Sequence, residues 1–249
     1  MPFAGREPEL DVSPGSWIAD AVRPFREHVV ASLVPPVFAA YARVFHPAAR
    51  YDDLDDVDVP WAEVGAANGT VVHPAMEWGS ITGSMEYFEN ADQSPLWDGA
   101  PARGHLPVQV ARALIDVLRR HTATPDDCWF GIWHGHASIW HGHGSVVADR
   151  PTLALPAREH WLVRGPIALA AENMAEEPAE QSANLWWPAD RAWCVATDID
   201  LVTTYVGGSP RCIADLLSAP GLETAPVPPD QHITWDADTV NPLPADGPG

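Results

Sequence analysis

The sequence contains no lysine, and all 14 basic residues in its 249 are arginines. That absence excludes any mechanism built on a lysine Schiff base, and any phosphate-binding loop that depends on a lysine. Cysteine is scarce as well. Cys128, Cys194 and Cys212 are odd in number and widely spaced, which is no disulfide framework; Cys128 and Cys194 lie in apolar runs and read as buried core thiols. No apolar run reaches the roughly 18 residues that a membrane-spanning helix needs. The opening MPFAGREPELDVSPGSW has neither the basic start nor the apolar stretch of a secretory leader. The expected location is therefore cytoplasmic, with no membrane partner.

Positive charge is short too: 14 basic residues face 34 acidic ones, for a formal net charge of −20. Such a field repels nucleic acid and anionic membranes and favours a basic protein or peptide. What is abundant is apolar. Hydrophobic residues make up 46% of the chain, enough for a substantial core, and 12 tryptophans are present.

Residues 1–16 read as a flexible arm, 17–225 as one domain, and 226–249 as a Pro/Asp-rich tail whose last ten residues fray. A short helix is expected over 17–28 and a strand over 37–45. The run Asp52, Asp53, Asp55, Asp56, Asp58 reads as a solvated loop without the calcium-loop pattern. Gly69 suits the residue just past a helix over 61–68. Residues 107–120 give the clearest helix, with proline in the first turn and an apolar stripe of Val110, Leu114, Val117 and Leu118. CWFGIW at 128–133 is apolar on both parities, the pattern of a strand covered on both faces. Further strands are expected at 152–155, 159–163 and 192–197, a helix at 166–174, and a loop at 172–183. Ser209-Pro210 opens another helix, running to about Ser218. This mixture, without strict strand–helix alternation, predicts an α+β fold: a mixed or antiparallel central sheet flanked by helices, in a single domain.

Four constellations could carry chemistry. The tetrapeptide Trp-His-Gly-His occurs twice, placing His134, His136, His141 and His143 at spacings of two. On an extended segment such pairs face one side, and a bend between them would gather four imidazoles able to hold a divalent transition metal such as zinc. Asp198 and Asp200, after an apolar run, could add carboxylate ligands; their Asp-x-Asp pattern lacks the lysine and second acidic motif of the haloacid-dehalogenase phosphatases. Gly207, Gly208 and Ser209 precede a helix start, as an anion-binding turn would. Trp186, Trp187 and Arg191 could line a flat ligand pocket. For a pair of catalytic carboxyls, Glu77 and Glu86 are the acids in an apolar setting.

The segments DCWFGIW (127–133), LWWPADRAWCVATDID (185–200) and TYVGGS (204–209) resemble an uncharacterised family of proteins from high-GC Gram-positive (actinobacterial) bacteria. The resemblance implies a bacterial cytosolic setting and lends no catalytic residue. Three readings follow. The first is a non-enzymatic, acidic binding protein, of the kind that neutralises a basic toxin. The second is a metal-dependent hydrolase built on the His134/His136/His141/His143 cluster. The third is a small-ligand module with a tryptophan-lined pocket.

Overall fold

The computed structural model describes residues 3–52, 56–85, 96–140 and 147–244. Its strands are β1 (Ala40–Phe45), β2 (Ala48–Arg50), β3 (Val57–Val59), β4 (Cys128–Trp133), β5 (Leu153–Leu155), β6 (Arg158–Gly165), β7 (Leu185–Pro188), β8 (Cys194–Ala196), β9 (Thr203–Gly208) and β10 (Glu223–Pro226). Eight of them form one sheet in the order β10-β1-β9-β8-β7-β4-β6-β5, and β2 pairs with β3 in a second. Every pairing is antiparallel. The fold is α+β with an antiparallel central sheet, as the sequence predicts.

The main sheet is covered on both sides, which is why β4 is apolar on both parities. Phe130 and Ile132 belong to a core shared with α4 (Val108–Leu118) and α5 (Pro210–Leu217), while Trp129 belongs to the opposite core. That second face is covered by α1 (Ser16–Ala19) and the residues after it, Val22, Val30, Leu33 and Val34, together with Val227 and Ile233. A third core joins the small sheet to α2 (Trp61–Ala67) and α3 (Trp78–Thr82). It contains an aromatic chain: Phe45 to Trp61 at 4.9 Å, Trp61 to Trp78 at 5.3 Å, and Trp78 to Trp97 at 5.0 Å between ring centroids.

Helix boundaries follow the local signals. Ser209 caps α5 by accepting from the Cys212 amide, and Gly69 takes φ +69° just after α2. The helix expected over 17–28 shrinks to α1, because Pro24 interrupts it and only a 3-10 turn, Phe25–Glu27, follows. The one expected over 166–174 is a 3-10 turn, Ile167–Ala171.

Two boundary expectations require correction. Residues 3–16 are not a loose arm: Phe3 is 1% exposed and packs edge-on to Trp161, while the Glu9 amide donates to the Leu162 carbonyl. Nor do residues 226–244 form a detached tail. They donate and accept backbone hydrogen bonds with Tyr41, His28, Val30 and Ala31, and Asn241 pairs with both backbone groups of Val71. Residues 245–249 lie outside the described residues.

Gly207 and Gly208 sit inside β9 and form no turn. A Cβ on Gly207 would lie 2.4 Å from Phe38 and 2.8 Å from Val34, so the segment leading into β1 packs directly on bare backbone. Gly207→Ala is expected to lower stability by ~1–3 kcal/mol through overpacking. Chemical denaturation measures this, and a loss of only a few tenths would mean that the segment re-packs freely.

Candidate functional site

On the second face of the sheet, between the N-terminal segment, the C-terminal segment and α3, opens a cleft of about 730 Å³. Its floor carries Arg43 from β1 and Tyr205 from β9, which are register partners in adjacent strands. Glu77, at the entry to α3, closes one side; Trp235 and Asp236 of the C-terminal segment close another.

Arg43 is the centre of this arrangement. It is 3% exposed, its Nη2 donates to Glu77 Oε1 at 2.9 Å, and its Nη1 donates to the Met76 carbonyl at 2.9 Å. Its guanidinium lies 4.8 Å from the Phe45 ring centroid. Its Nε is buried and has no partner among the described residues. Burial disfavours its charge, yet Glu77, Tyr205 and Asp238 together hold its pKa above the ordinary arginine value.

The buried guanidinium interacts with two carboxyls, Glu77 and Asp238, and a third, Asp236, acts on Glu77 from the wall of the same cleft. Asp238 is fully satisfied, accepting from the amides of Val240 and Asn241, the Asn241 side chain and His73 Nε2, each at 2.9 Å. Burial pushes its pKa up, but those hydrogen bonds outweigh burial and hold it below the usual carboxylate range. Glu77 has no such set of donors. Burial pushes its carboxyl up to about 7; Arg43 opposes this, and the negative charges of Asp238 and Asp236 reinforce it. Neighbouring carboxyls whose environments drive their affinities for a proton apart are the arrangement that acid–base sites use.

Asp198 and Asp200 line the same cleft. Arg158 bridges them: its Nε donates to Asp198 at 3.2 Å and its Nη2 to Asp200 at 2.7 Å. Arg103 approaches Asp200 at 3.8 Å. Two cations and two anions thus form a locally balanced group, with Arg158 also stacked 4.6 Å over the Phe25 ring. The carboxylates expected to hold a metal are anchors for arginines.

The histidine repeat does not continue β4 as an extended segment. The strand ends at Trp133, residues 134 and 135 turn, and residues 137–140 are helical. His134 packs against Trp140 and Trp161, at centroid distances of 5.0 and 4.8 Å. His136 contacts Trp133 instead, and its Nε2 is 3.1 Å from Asn184 Oδ1. The two rings are held by different partners, because the turn breaks the two-residue periodicity on which convergence depends. His141, His143 and Glu86 lie outside the described residues. Among the described residues no group of three or more His, Cys, Asp or Glu side chains could hold a metal ion.

Nothing matches this chain: no family model, no curated protein and no solved structure. What the cleft can do therefore rests on its geometry.

The expected tryptophan pocket also needs correction. Trp186 and Trp187 are neighbours in β7, so they point to opposite faces and belong to different cores, at 0% and 1% exposure. Arg191, Gly208 and Ser209 do meet, beside Trp17 and Phe38 in a shallow surface hollow, with Arg191 5.5 Å over the Trp17 ring. The Ser209 hydroxyl is engaged in capping α5. All three cysteines are buried and unpaired. No helix among the described residues is long and apolar enough to cross a membrane.

Glu77 is the one residue of the cleft's centre that the sequence singles out, as an acid set between apolar neighbours. Arg43, Trp235 and Asp236 carry no local signal, since they reach the cleft from segments far apart in the chain.

Proposed function

We propose that this protein binds a small organic ligand in the cleft over Arg43 and Tyr205. The observation that carries this reading is an open cleft of about 730 Å³ in which an aromatic and aliphatic wall meets charged side chains at one end. That size lies within the range typical of ligand sites, which combine an apolar lining with a few polar groups that fix orientation. Trp235 is half-buried and lines this cleft, where its indole offers a stacking surface to a ligand.

The test is a small-molecule fragment screen read by protein-detected NMR. Binding fragments are expected to shift the amide resonances of His28, Thr234 and Trp235, and Thr234→Trp, which fills the cleft, is expected to abolish those shifts. Shifts located elsewhere, or unchanged by Thr234→Trp, would overturn the reading.

The net charge of −20 favours a second reading, in which a basic protein or peptide is the partner and inserts a cationic side chain here. Its affinity is expected to fall at least tenfold between low and high salt, as screening removes the long-range attraction. Affinity independent of salt would exclude it.

A further inference from the structure

We propose that the ligand of this cleft is an organic monocation: a protonated amine on an apolar body, with a neutral oxygen acceptor beside the amine. This rests on the cleft being a ligand site, and it adds the chemical class.

The charges decide the class. Arg103, Arg158, Asp198 and Asp200 pair with one another, two charges of each sign. Beside them the cleft is lined by the Arg43 guanidinium and the carboxyls of Glu77 and Asp236, with Asp238 behind them, an excess of negative charge even when the His73 that pairs with Asp238 is counted. Asp236 is exposed and makes no ion pair or hydrogen bond among the described residues, while Glu77 gives only its Oε1 to Arg43. Trp235, next in sequence to Asp236, also lines the cleft and brings an indole, the side chain whose face best accommodates a cation. An anionic ligand would enter an excess of carboxylates; a cation restores balance. Arg43 contributes the second half of the class. Its side chain lines the cleft at 3% exposure, and its buried Nε has no partner among the described residues, a donor that a ligand oxygen would satisfy.

The cation also has a proton to displace. At neutral pH the Glu77 carboxyl holds a proton for part of the time. An ammonium ion placed beside it favours the ionised form, so binding releases that proton to solvent.

Isothermal titration calorimetry with three probes of one shape tests this: phenylalaninol (cationic), 3-phenylpropanol (neutral) and 3-phenylpropanoate (anionic). Phenylalaninol is expected to bind at least tenfold more tightly than 3-phenylpropanol, with no detectable binding of the anion. In buffers of different ionisation enthalpy at pH 7, a fraction of a proton is expected to be released per amine bound. Asp236→Asn should weaken the amine while leaving proton release in place, and Glu77→Gln should abolish the release. Tighter binding of the neutral or anionic probe at residues His28, Thr234 and Trp235 would overturn the ligand class while leaving the cleft as a site. Failure of all three probes overturns the class as well, and the fragment screen then reports separately on the cleft.

Discussion

Glu77→Gln is expected to stabilise the protein at pH 8 by ~2–3 kcal/mol, although it removes one partner of a buried ion pair. The folded-state pKa of Glu77 is raised to about 7, against an ordinary value of 4.5. The native state therefore binds the Glu77 proton more tightly than the unfolded chain does. The stability this group contributes is fully present below pH 4.5 and is lost as pH rises through about 7. Because a tenfold difference in proton affinity between the folded and unfolded states is worth roughly 1.4 kcal/mol, the ionised carboxylate at pH 8 is a net burden of a few kcal/mol. Glutamine mimics the protonated acid, keeps an acceptor for Arg43 Nη2, and leaves Asp238 to balance the guanidinium. The difference between variant and parent should shrink as pH falls and vanish near pH 4.5. Urea denaturation of both proteins across pH 4.5–8 measures it. A variant less stable than the parent at pH 8 would show that the pair is net favourable and that the carboxyl stays ionised.

Removing the cation has the opposite expected effect. Arg43→Met leaves the carbonyl of Met76 without its donor and deprives Glu77 and Asp238 of the guanidinium that faces them. Breaking a buried pair from this side costs ~3–5 kcal/mol. For a chain of this size that corresponds to a fall in melting temperature on the order of 10 °C. Lysine should not rescue it, since a point charge cannot reproduce a planar fork that donates in two directions. The loss should be larger at pH 8 than at pH 5, because ionised Glu77 depends most on the cation. A loss below ~1 kcal/mol, or full rescue by Arg43→Lys, would contradict this. The two substitutions thus probe the same contact with opposite expected signs, as follows when one cation is shared among several acids.

The elements legible in the sequence are those whose signals are local. Ser209-Pro210 marks the start of α5, Gly69 the end of α2, and the apolar stripe from Val110 to Leu118 defines α4. The two-parity pattern of CWFGIW states correctly that both faces of β4 are covered, although the sheet is antiparallel. Five strands carry no local signal: the short β2 and β3, the second of which lies in the aspartate run read as a solvated loop, and three others that share a reason. β7 is four residues long, β9 ends in two glycines, and β10 carries a proline, so each depends on partners distant in sequence. The glycines of β9 imitate a turn; what demands a bare backbone there is Phe38 and Val34 packing onto Gly207.

Composition misled at both chain ends. Proline and aspartate in residues 226–244 disfavour regular structure, but they do not prevent docking by irregular backbone hydrogen bonds to residues 28–31, or by the side chain of Asn241. The centre of the cleft was illegible for the same reason: Arg43, Glu77 and Asp236 come from β1, the entry to α3, and that docked segment. Glu77 stood out only because an acid between Met76 and Trp78 is unusual. The histidine repeat was the opposite case, a strong local pattern whose described half is divided by a turn after Trp133.

The titration of the Glu77 side-chain carboxyl, followed by carbon-13 NMR on glutamate-labelled protein and assigned by comparison with Glu77→Gln, bears most directly on this site. A midpoint near 7 that moves lower on adding phenylalaninol is the expected result. A midpoint at or below 4.5, indifferent to the amine, would mean that Arg43 holds Glu77 permanently ionised, and the cleft would have no proton to exchange for a cation.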